Sequence, residues 1–97
     1  MKKFAVIQMG EHYDPSKHQA LFKTKDMEVH IRTVRDFKEG LSCLDELVAE
    51  GIKCVELCGA FGEERAREMI AHTEGKIAIG YVTIFKEQET MFREFFE

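Results

Sequence analysis

A single proline and seven glycines among 97 residues leave no material for a long disordered linker. The three cysteines are too few, and odd in number, for a secreted disulfide framework, so a reducing cytoplasm is expected. No segment approaches the ~20 apolar residues of a membrane helix. The opening run from Phe4 to Met9 is interrupted by Gln8 and ends at Gly10. It is shorter than the roughly 7–15 apolar residues of a signal segment, and reads as a strand. Basic clusters are also missing. Arg32, Arg35 and Lys38 stand among acidic residues, and the net charge is −4. No basic face is therefore expected for nucleic acid.

What remains is ordinary globular composition, 44% hydrophobic and 33% charged. The length suits one domain, residues 1–97, with one modest core. Hydrophobic runs predict strands near 3–9, 27–34, 53–58 and 77–84. Between Met27 and Val34 apolar and polar residues alternate, which predicts a strand with one wetter face at a sheet edge. Asp14 before Pro15 is a helix-start pair and predicts a short helix from Pro15 to about Phe22. Asp36 and Glu39 have capping-box spacing. Phe37, Leu41, Leu44 and Val48 then recur on one helix face, up to Gly51. Glu63 and Glu64 suit the first turn of another helix, with Ala66, Met69, Ile70 and Thr73 as its inner stripe and Gly75 at its end. Met91, Phe92, Phe95 and Phe96 share one side of a last helix. Strands alternating with helices predict an α/β fold, a mostly parallel four-stranded sheet with helices on its faces. A flavodoxin-like order, 2-1-3-4, is favoured.

The stretches Tyr13-Asp14-Pro15 with His18, Val55-Glu56-Leu57-Cys58-Gly59 with Phe61-Gly62, and the strand Ile77 to Val82 resemble a family of small prokaryotic proteins of unknown function. The likeness covers roughly residues 3–82; the tail after Thr83 departs from it. The resemblance implies a prokaryotic cytoplasmic protein and brings no activity.

In a 2-1-3-4 sheet the order reverses between the first and third strands, and a ligand crevice opens at their carboxyl ends. Those ends carry Gly10, Glu11, His12, Tyr13 and Asp14, facing Glu56, Cys58, Gly59, Ala60, Phe61 and Gly62. Glycine lets backbone amides approach a ligand, and the following helix N-terminus favours an anion. The same turn is also what glycine geometry alone would give, since it matches neither G-x-G-x-x-G nor a P-loop. Glu56, if covered on a central strand, is a candidate general base or a structural acid bonded to Arg32, Arg35 or loop amides. Cys58, just before a helix N-terminus, is a candidate nucleophile with His12 or His18 as base, or a small buried hydrophobe. The histidines at 12, 18, 30 and 72 lack zinc-ligand spacing; no metal and no cofactor is expected. The sequence thus points to a homo-oligomeric module, most simply a dimer, that binds a small anionic or polar metabolite. The alternatives are a small enzyme using Glu56, Cys58 and a loop histidine, and a purely structural oligomeric domain. No nucleic-acid or membrane partner is expected.

Overall fold

In the computed structural model, which describes residues 1–97, a mixed sheet carries helices on one side only. Its strands are β1 (Lys2–Met9), β2 (Ala20–Lys23), β3 (Met27–Val34), β4 (Cys54–Leu57) and β5 (Ala78–Tyr81). The helices are α1 (Phe37–Ala49), α2 (Gly62–His72) and α3 (Glu89–Phe96), the last preceded by a short 3-10 turn at Lys86–Gln88. The five strands run in the order β2-β3-β1-β4-β5. β3, β1, β4 and β5 run parallel to one another, and β2 is antiparallel to β3.

The expected four-stranded order is therefore corrected to five strands, and the reason lies at residues 15–23. The helix predicted from Pro15 does not form. Asp14 accepts from the amide and hydroxyl of Ser16 at 3.0 and 2.7 Å, and its carbonyl accepts from the amides of Lys17 and His18. This closes one turn and stops. Ala20 and Phe22 then pair opposite Ile31 and Val29. The hairpin turn is held by Thr24, whose amide donates to the Met27 carbonyl at 2.7 Å and whose hydroxyl accepts from the Met27 amide at 3.0 Å. β3 is consequently flanked on both sides, not an edge. β5 is also shorter than expected, because Val82 to Phe85 leave the sheet.

Strand alternation sorts the side chains by face. Ala5, Ile7, Val55 and Leu57 are fully buried beneath α1 and α2, with Leu44, Leu47 and Met69 packed on them from the helices. α1 begins at Asp36, whose carboxylate accepts from the Glu39 amide at 2.9 Å, while Glu39 reaches back to the amide and guanidinium of Arg35. Its buried face is Gly40, Cys43, Leu44 and Leu47. Val48 is instead turned outward, so the real stripe is rotated by about one residue from the predicted one. In α2, Ala66 and Met69 are buried, but Ile70 is 37% exposed. The other sheet face carries Phe4, Val6, Val29, Ile31, Phe22, Cys54 and Glu56, and no helix lies on it. The expectation of helices on both faces is corrected accordingly: two helices cover one face, and the third lies past the strand ends, where its Phe92 and Phe96 border a cavity.

Candidate functional site

β1 and β4 are parallel neighbours, so their carboxyl ends emerge side by side. The Cys58 amide donates to the Ile7 carbonyl at 3.1 Å, and the Met9 amide donates to Cys58 Sγ at 3.3 Å. These bonds tie the two exits together. The Val82 amide donates to the Leu57 carbonyl at 2.9 Å, bringing the end of β5 alongside. After β1, the Tyr13 amide closes a turn on the Gly10 carbonyl, and the phenol folds back to donate to Gln8 Oε1 at 2.9 Å. A Cβ at position 10 would stand 3.0 Å from the Tyr13 ring. Glycine there is what lets the ring lie across the strand end.

A cavity of about 740 Å³ opens at this junction, in the size range of small-molecule sites. Its floor is Gln8, Met9, Cys58, Gly59 and Ala60. Tyr13 borders one side, Tyr81 to Ile84 the other, and Phe92 and Phe96 of α3 the outside. Nine of the twelve lining residues are hydrophobic and none is a lysine or arginine. The polar handles are the Gln8–Tyr13 pair, the Thr83 hydroxyl and the Cys58 thiol. A second hollow of about 410 Å³ adjoins it, bordered by Gly10, Glu11, His12 and His18, and shares Met9, Tyr13 and Phe96 with the first.

The predicted residues therefore divide. Tyr13, Cys58 and Gly59, with Ala60, line the main cavity; Gly10 and His12, with Glu11, line the smaller hollow. Asp14 lines neither. It is occupied in its own turn, where hydrogen bonds from Ser16, first the hydroxyl and then the amide, hold its carboxyl below the usual range. Phe61 is a core residue, 3% exposed, set edge-on to Phe37 at 6.4 Å. Gly62 opens α2 with a positive φ of 72° and does not reach the cavity. Glu56 is exposed on the helix-free face, outside both hollows and without an ion-pair partner. Arg32, once a possible partner for it, bonds Glu46 at 3.1 Å instead, and Arg35 bonds Glu39. His12 is paired with Glu11 at 3.3 Å and is almost wholly exposed. Glu56, Cys58 and His12 are thus not brought together.

At the α2 N-terminus no side chain caps the first turn, but Glu63 and Glu64 stand there. Their charge already complements the helix dipole and repels an anionic ligand. No three His, Cys, Asp or Glu side chains converge as metal ligands would. Sequence reasoning missed Gln8, Met9, Tyr81, Val82, Thr83, Ile84, Phe92 and Phe96. The signal for the last two was the amphipathic tail, whose aromatics have no helix-covered core to enter. No helix of the chain is long and apolar enough to cross a membrane.

No curated protein and no solved structure matches the chain significantly. A sequence profile does match it over residues 2–97, nearly end to end, and the chain belongs to the family of unknown function DUF6506.

Proposed function

We propose that this chain is a homo-oligomeric small-molecule-binding module whose ligand occupies the cavity at the carboxyl ends of β1, β4 and β5. The observation that carries the reading is the cavity lining: an apolar, aromatic-bordered hollow of about 740 Å³ with a few polar groups among its walls. Predominantly apolar walls with a small number of placed polar groups are the usual make-up of a ligand site. The lining also narrows the ligand. Without a cation to face it, and with Glu63 and Glu64 at the neighbouring helix start, a charged phosphate or carboxylate is a poor fit. A neutral molecule with a flat apolar body and one hydrogen-bonding group fits, its body between Tyr81 and Phe92 and its polar group toward Tyr13 and Gln8. Of the enzymatic alternative only Cys58 reaches the cavity, and it has neither Glu56 nor His12 beside it.

The test uses N-phenyl-1-naphthylamine, a neutral aromatic probe whose emission rises in an apolar site. Wild-type protein binds it saturably, and the probe raises the melting temperature because it prefers the folded state. Ala60→Trp, placed at an exposed cavity-lining position, fills the space and weakens binding at least ~10-fold, about 1.4 kcal/mol, without unfolding the chain. Absence of saturable binding, or equal binding to the variant, contradicts the reading and leaves the structural-domain alternative.

A further inference from the structure

β1 reads Lys2-Lys3-Phe4-Ala5-Val6-Ile7-Gln8-Met9, with four apolar residues in succession. Such a run is typical of a strand buried on both faces, and parallel sheets occur almost only with both faces covered. Here α1 and α2 cover the Ala5 and Ile7 face, while Phe4 and Val6 look onto a face with no helix. Val29 and Ile31 of β3, Phe22 of β2 and Cys54 of β4 continue that face by strand alternation and register. The segment between β1 and β2 reaches only its upper rim, where Thr33 donates to the His18 carbonyl at 2.7 Å.

We infer that the helix-free sheet face is an isologous docking surface for a second copy of this chain, with the two sheets stacked and their strands running in opposite directions. This rests on the oligomeric part of the reading above and names the face. Area supports it. At about 4.8 Å between strands and about 3.3 Å per residue, a face five strands wide and about five residues long covers roughly 400 Å² in projection. Pleat and side-chain relief raise the accessible area above that, so two such faces together reach the ~1,000 Å² of a specific interface.

Charge fixes the occupant and its direction. Alternation puts just two charged side chains on this face, Lys2 at the amino end of β1 and Glu56 toward the carboxyl end of the adjacent β4. Both are exposed. Glu56 stands beside Val6, four residues along from Lys2. A two-fold axis crossing the strands near Phe4 therefore sets Lys2 of one copy above Glu56 of the other, twice over. Opposed strand directions also put the two rim segments around His18 at opposite ends, where they do not collide. A face that is neutral, apolar and self-complementary under one rotation matches itself.

Sedimentation velocity tests this with four proteins: wild type, Lys2→Glu, Glu56→Lys and the double exchange. Both substituted side chains are exposed in the single chain, so folding is preserved. Wild type is expected at twice the chain mass of 11.2 kDa. Each single exchange places like charges opposite one another and weakens the dimer at least ~10-fold; the double exchange restores it. A wild-type monomer at 100 µM overturns both this inference and the oligomeric reading. A dimer indifferent to all three exchanges overturns the face alone.

Discussion

The two faces of the sheet are made by the same strands, one residue out of phase, and they have opposite fates. Ala5, Ile7, Val55 and Leu57 are fully buried under two helices. Phe4, Val6, Cys54 and Glu56, their immediate neighbours in sequence, stand on a face that the chain leaves bare. Composition does not explain the difference, since β1 is apolar on both sides. Connection does: α1 follows β3 and α2 follows β4, both crossovers lie on one side, and the 10–23 segment that should have supplied a helix to the other side became a turn and then the edge strand β2. A chain of this length has enough helix for one layer. On the inference above, a second copy of the chain covers the other face.

The largest effect separating the faces is expected from truncation. Ile7→Ala, at a fully buried position, costs about 2–5 kcal/mol of stability. Val6→Ala, measured in dilute solution, costs about 1 kcal/mol or less, because a half-buried methyl pair leaves no closed cavity behind. Denaturant titration of both variants checks the contrast; equal losses erase the distinction between a covered and an open face.

A second contrast lies in the thiols. Burial, the largest influence, pushes Cys43 of α1 up to about 11, with Glu46 and Glu50 adding to it and Arg32 opposing. The folded state thus holds its proton where the unfolded chain has released it. The associated stability is intact below about pH 9 and is lost as pH rises toward 11. The loss amounts to about 2–3 kcal/mol. Cys43→Ala removes that part of the alkaline destabilisation; an unchanged difference between pH 8 and 11 in the variant shows that other groups carry it.

The helix-covered core was legible in the sequence because it rests on periodicity. Val55 and Leu57 alternate with Cys54 and Glu56, and Ala66 and Met69 recur at three; in α1 the expected stripe shared Leu44 with the buried face but took Val48 where Leu47 is the buried residue. Asp36 and Glu39 marked the start of α1 through a cap that the structure contains. β2 was not legible in the same way. Asp14-Pro15 is a sound local helix signal, but only one turn's worth of bonds is available before Ala20 and Phe22 find the open edge of β3. The hairpin signal was present in Thr24-Lys25-Asp26 between two strand-forming runs, and local capping chemistry masked it. At the candidate site, Tyr13, Cys58 and Gly59 were legible because they sit at strand ends, which topology alone brings together. Glu56 was misread because its role depended on a second helix layer. Phe92 and Phe96 were out of reach because their place is set by how the tail folds back across the strand ends, which no periodicity encodes.

Site-resolved alkylation tests the difference between the faces most directly. Cys54 lies on the helix-free face beside Phe4 and Ala78 in register, half-buried in the single chain. Cys43, 3% exposed under the helix layer, is the internal control. Iodoacetamide labelling, followed by peptide mass spectrometry across protein concentrations from nanomolar to 100 µM, reads both thiols in one sample. Labelling of Cys54 is expected to slow at least ~10-fold as concentration rises and a second copy covers the face, since protection follows the population of the associated form. Cys43 stays slow throughout. A Cys54 rate that does not change with concentration contradicts a face made to be covered by another copy of the chain.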